Sequence, residues 1–147
     1  MSARILRTMP GGFFVEIRPV KRYCCRMFLI ALNPPRQLLH LSYIGHVTPD
    51  ELRRGYADAR AMAADLKPGF NLLADFGRLD SMDLACRTEL GRLMELADQN
   101  GVGLLVRVIP DPSKDIGLDI LTLFHYRNRP RTVTCKNMIE AAEKLSL

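Results

Sequence analysis

The sequence predicts a mixed α/β sheet of about five strands, with an antiparallel hairpin at one edge and four helices packed against it. Three observations predict this class. Strand-like and helix-like periodicities alternate along most of the chain with short connections, the pattern of successive βαβ units. Two apolar runs, Phe70 to Phe76 and Val102 to Ile109, are nearly continuous rather than alternating, as strands covered on both faces are. Two helix starts carry capping residues at the required spacing, Thr48-Pro49-Asp50-Glu51 and Asn137-Met138-Ile139-Glu140.

Residues 1–22 read as a basic amino-terminal arm or, through FFVEIRPV, as an extra edge strand ahead of a main domain at 23–147. Tyr23 to Leu32 is strand-like, and Asn33-Pro34-Pro35-Arg36 is a turn because prolines cannot donate to a ladder. Gln37 to Gly45 is the second arm of that hairpin. A first helix starts at Thr48, with Pro49 suited to the first helical position and Glu51 closing a capping box. Leu52, Tyr56, Ala59, Ala63 and Leu66 give it one apolar face, and Pro68-Gly69 stops it. After the Phe70 strand, a second helix is expected from about Met82 to Asp98, with Cys86, Leu90, Leu93 and Ala97 inward and Asn100-Gly101 ending it. The Val102 strand ends in Pro110-Asp111-Pro112-Ser113. A third helix has Ile116, Ile120, Leu123 and Phe124 as its stripe, and Arg127-Asn128-Arg129-Pro130 turns the chain. Arg131 to Cys135 is a short strand with Val133 and Cys135 inward, and the final helix runs through Ala141, Ala142 and Leu145.

Composition narrows the function classes. A chain of 147 residues that is 48% hydrophobic can bury one sizeable core, which argues for a single domain. The apolar window Met27 to Leu32 is far too short to span a membrane, and a cytoplasmic protein is expected. Adjacent Cys24 and Cys25 alternate faces on a strand, and with Cys86 and Cys135 they form no C-x-x-C spacing; reduced thiols and no zinc site follow, and no cofactor is implied. The charge is uneven: residues 1–36 hold seven basic groups against Glu16 alone, and the rest holds 14 against 15. Those basic groups are scattered among Phe13, Phe14, Val15 and Ile17, so nucleic acid is not the expected partner.

The candidate site is the segment Phe70 to Asp83, because sites in open α/β sheets gather outside the carboxyl ends of strands. The strand is expected to end near Asp75 and to pass through a polar loop, Gly77 to Ser81, into the second helix. Asp75, Arg78, Asp80, Ser81, Met82, Asp83 and Arg87 are the candidate partner-binding residues. Unpaired N–H groups at a helix start favour anionic groups; Arg78 and Arg87 add to that field, and Asp80 and Asp83 oppose it. Ser81, the one hydroxyl of the loop, is expected to cap the helix, as is Asp80, and is the candidate phosphoacceptor.

The element order, the G-x-x-T at Gly45 to Thr48 and the phrase LLADFGRLDSMDLA together resemble the STAS domain, the fold of SpoIIAA-type anti-sigma-factor antagonists, over roughly Tyr23 to Leu145. The resemblance implies a non-enzymatic, bacterial, regulatory module whose protein partner is an anti-sigma factor that is also a kinase. In that family a phosphorylated serine follows the Met-Asp pair, where this chain has Leu84, Ala85 and Cys86. The switch therefore does not carry over, and the chain is placed nearer to divergent SpoIIAA-like proteins.

Other chemistry has weaker support. Asp75 at a strand end is similar to the phosphoacceptor of response-regulator receivers, but the additional magnesium-holding carboxylates and the late lysine are missing. His40, His46 and His125 fall in a strand, a loop and the end of the third helix. Cys135, before a helix that would lower its pKa, is the candidate nucleophile of an enzyme, without an oriented base or oxyanion loop. Leu118, Leu121, Tyr126, Met82 and Met94 are surplus apolar residues, suited to core, to a homodimer contact or to a cavity for a small lipid-like ligand.

Overall fold

The computed structural model describes residues 5–9, 13–19, 27–111 and 125–146. Seven strands form one sheet: β1 (Ile5–Met9), β2 (Phe13–Pro19), β3 (Met27–Asn33), β4 (Leu38–Val47), β5 (Asn71–Met82), β6 (Leu104–Val108) and β7 (Arg131–Cys135). They lie side by side in chain order, antiparallel from β1 to β4 and parallel from β4 to β7. The predicted mixed sheet is present, and the hairpin edge is longer than expected. β2 pairs with β3 and β1 with β2, so two strands from the amino-terminal segment extend it.

Three α-helices lie among the described residues: α1 (Pro49–Ala64), α2 (Cys86–Gln99) and α3 (Met138–Leu145). The predicted third helix falls outside the described residues except for His125, which is helical. Both capped starts form. Thr48 Oγ1 accepts from the Glu51 N–H at 3.4 Å, and Glu51 Oε2 accepts from the Thr48 N–H at 3.1 Å, a complete capping box. Asn137 Oδ1 accepts from the Glu140 N–H at 2.9 Å, while the Glu140 carboxylate reaches one residue further back, to the Lys136 N–H. The Pro34-Pro35 turn is a short 3₁₀ helix, Pro34–Arg36, that hands β3 to β4.

The sheet is covered on both faces by different helices. On one face Phe28, Ile30, Leu41, Leu72 and Leu105 pack with Leu52 and Met62 of α1 and with Leu90 and Leu93 of α2. On the other, Leu38, Leu73, Val106 and Cys135 pack against Ala141 and Leu145 of α3. Central strands buried from both sides need continuous apolar sequence, which is what the Phe70 and Val102 runs supply.

Two expectations about β5 are corrected. Gly77 to Ser81 is not a loop: the strand continues through Met82, hydrogen-bonded to β4. Helix α2 begins at Cys86 and not near Met82, and its N-cap, Ala85, makes no side-chain cap bond, so neither Ser81 nor Asp80 caps it. Turn-forming residue types stay extended here because β4 offers a ladder, and tertiary pairing outweighs local preference. The cost appears as two irregularities. Between Ser42↔Asp75 and Ile44↔Arg78, and again between Gly45↔Leu79 and His46↔Ser81, β5 spends one residue more than β4.

Candidate functional site

Pairing beyond Asp75 builds the site. β6 accompanies β5 only from Asn71 to Asp75, so the outer half of β5 has a single neighbour and projects past the sheet beside the end of β4. Gly77, Arg78, Asp80 and Ser81 are exposed, Leu79 and Met82 are half-buried against the core, and Asp83, Leu84 and Ala85 are exposed in the turn to α2. At the first irregularity the Gly77 N–H donates to Asp75 Oδ1 at 2.8 Å. Gly45 takes φ +68° on β4 beside the second, a conformation that glycine adopts without steric cost.

The register then places His46 opposite Ser81 and Val47 opposite Met82. His46 Nδ1 lies 2.7 Å from Ser81 Oγ, and His46 Nε2 lies 3.0 Å from Asp83 Oδ1. The imidazole is thus held between a hydroxyl and a carboxylate, with the histidine side chain 39% and the aspartate side chain 47% exposed. The turn itself is fixed by backbone bonds: the Asp83 N–H donates to the Val47 carbonyl and the Cys86 N–H to the Asp83 carbonyl.

Of the seven candidate residues, Ser81 and Asp83 are brought together through His46, which composition alone marked only as a loop residue. Arg78, Asp80 and Arg87 share the exposed end without a common contact to that histidine, and Met82 turns inward. Asp75 is separate. It is half-buried roughly 13 Å back along the strand, since six residues less two bulges leave four rises of about 3.3 Å. Its neighbourhood is His40, whose Nε2 lies 3.0 Å from Ser42 Oγ; burial lowers the His40 pKa, with the Asp75 charge acting in the opposite direction. The signal that could have found His46 is the G-x-x-T itself. A parallel pair that ends together sets the residue after Gly45 against the last residues of the next strand.

The thiols are corrected as well. Cys135 is buried at the end of β7, and burial, reinforced by Glu140, pushes its pKa up, against the expectation that the following helix lowers it. A protonated, enclosed thiol is a poor nucleophile. Cys86 is fully buried with its Sγ–H toward the Val47 carbonyl at 3.5 Å, and burial followed by the Asp83 charge raises it to about 11. Of the three positions where the resemblance expects a switch serine, Leu84 and Ala85 are therefore exposed and the third is core. Among the described residues no group of three or more His, Cys, Asp or Glu could hold a metal ion. No helix there is long and apolar enough to cross a membrane.

Beneath the central part of the sheet, a cleft facing α2 is lined by Leu41, Tyr43, Leu72, Phe76, Leu93 and Met94, with Arg107 and Tyr126 as its polar members. Arg107 is buried and donates from Nη2 to Thr134 Oγ1 at 2.9 Å. Tyr43 stacks on Phe76 with ring centroids 4.4 Å apart, closing one side.

The fold has known counterparts. The chain superimposes on an uncharacterized protein from the DUF3478 family with a SpoIIAA-like fold, from Shewanella loihica PV-4, with a TM-score of 0.59 and 12% identity, covering 99% of this chain and 98% of that one. It also matches the anti-sigma factor antagonist SpoIIAA in its unphosphorylated form, with a TM-score of 0.56 and 16% identity over 81% of this chain and 97% of that one. No family model and no curated protein matches the sequence. The fold is SpoIIAA-like, as the sequence motifs implied.

Proposed function

We propose that this chain is a non-enzymatic regulatory module that docks a protein partner through the outer half of β5 and the turn into α2. The observation that carries this reading is the end of the sheet and the turn into α2, where Arg78, Asp80, Asp83 and Arg87 are all exposed and Leu84 is 71% exposed. An exposed leucine alone is ordinary. One set among mixed charges, beside a strand that has lost a neighbour, has the apolar centre and polar rim of an interface. The likeness to SpoIIAA, an anti-sigma factor antagonist, supports a regulatory role without supplying the partner's identity. An anti-sigma-factor-like protein is the first partner to test, and the serine switch of that family has no counterpart at Leu84, Ala85 or Cys86.

Affinity capture from a bacterial lysate tests the reading. Asp83→Lys and Arg78→Glu are expected to reduce recovery of the partner at least tenfold while leaving the melting temperature nearly unchanged, since both side chains are exposed. Equal recovery by both variants overturns the docking surface.

A second reading, binding of a small apolar ligand, is favoured by the partly open cleft between the sheet and α2, whose lining is apolar apart from Arg107 and Tyr126. Native mass spectrometry of gently purified protein distinguishes the two. A retained small mass supports the ligand, and a doubled protein mass shows instead that two copies associate.

A further inference from the structure

The Ser81–His46–Asp83 array has a chemical capacity that docking does not use. We propose that Ser81 is an activated nucleophile that accepts an acyl group from an activated ester or thioester, with His46 as its general base and Asp83 as the residue that positions the imidazole. Asp83 Oδ1, 3.0 Å from Nε2, accepts that nitrogen's proton in the neutral ring. The ring is thereby fixed in the tautomer whose Nδ1 lone pair faces Ser81 Oγ at 2.7 Å, the geometry in which a base takes a hydroxyl proton. All three residues are at least partly exposed, so a donor reaches the hydroxyl without any rearrangement of the core.

The step balances within these groups. As Ser81 Oγ bonds to the donor's carbonyl carbon, its proton moves to His46 Nδ1. Collapse of the tetrahedral intermediate breaks the donor's C–O or C–S bond, and the leaving alkoxide or thiolate takes the proton from Nδ1. The products are a Ser81 ester, one alcohol or thiol, and a neutral His46.

The surroundings choose the donor class. Arg78 and Arg87 balance Asp80 and Asp83 at this exposed end, so the surface carries no net positive charge to hold a polyanionic phosphoryl donor, and a neutral acyl carbonyl needs none. Leu84, exposed three residues further on, offers apolar surface to an acyl chain. The proposal goes beyond the docking reading and does not depend on it, because it concerns a reaction of the isolated chain.

The probe is p-nitrophenyl acetate, added to the intact protein, with sites and rates of acetylation read by peptide mass spectrometry and the exposed Ser146 as the internal reference hydroxyl. Ser81 is expected to acetylate at least tenfold faster than Ser146. His46→Gln is expected to slow Ser81 acetylation about 10²-fold, the usual contribution of a general base. Asp83→Asn is expected to slow it at least tenfold, with Asp83→Glu recovering much of the rate, a rescue that a purely structural role does not predict. Circular dichroism confirms that each variant is folded. Ser81 reacting no faster than Ser146, or reacting equally fast in folded His46→Gln, overturns the proposal.

Discussion

The two halves of β5 answer to different constraints, although they are one strand. From Asn71 to Asp75 it is bonded to β4 on one side and β6 on the other, and Leu72, Leu73 and Ala74 are buried between helices on opposite faces. From Gly77 to Met82 it keeps only β4, slips register twice, and turns Arg78, Asp80 and Ser81 toward water. The inner half is defined by packing and tolerates little. The outer half is held by one ladder, and its side chains are left for other molecules.

The largest effect expected from this contrast is at the junction. Phe76→Ala removes a buried ring stacked on Tyr43 and is expected to cost about 3–5 kcal/mol. Asp80→Ala, four residues further along the same strand, is expected to change stability by less than about 0.5 kcal/mol. Urea unfolding of the two variants checks this, and similar losses for both would break the distinction between the halves.

A smaller effect is expected from Gly45→Ala. Gly45 supports the outer half from β4 with φ +68°, which an L-residue adopts at a cost of about 1–2 kcal/mol. Thermal unfolding measures the loss, and loss of Ser81 reactivity in the folded variant would show that the second register slip is what sets His46 against Ser81.

The smallest effect separates the two histidines of β4, since His40 is paired with the inner half at Leu73 and His46 with the outer half at Ser81. His40 is lowered from its ordinary 6.5 by burial. The unfolded chain therefore binds a proton that the folded chain refuses once pH drops below about 6.5. Stability from this group is complete above that value and declines as pH falls toward the lower folded-state pKa. Melting temperatures between about pH 7.5 and 5.5 should show the decline, and His40→Gln should flatten it.

The same division explains what could be read without coordinates. Thr48 and Glu51 announced α1 because a capping box is a local device, and Leu72 to Phe76 announced a buried strand because burial on both faces leaves a continuous apolar run. The outer half of β5 was hidden, since Gly77, Arg78, Asp80 and Ser81 carry turn preferences that a neighbouring strand overrules. His46 was hidden for a related reason. Its role depends on a contact across 35 positions of chain: the G-x-x-T marks His46 as a strand-end residue, and only the parallel pairing with β5 brings Ser81 opposite it. The raised pKa of Cys135 is not legible locally, because a nearby helix start is visible in sequence whereas the enclosure that outweighs it is not.

Strand order that follows chain order has a consequence for biosynthesis. Each strand finds its partner among residues already translated, so the β1 to β4 meander can assemble while the remainder is still within or near the ribosome. The parallel strands then add outward one at a time, each with its connecting segment, onto an edge that is waiting for them. Among the described strands, no late-made one has to insert between two earlier ones.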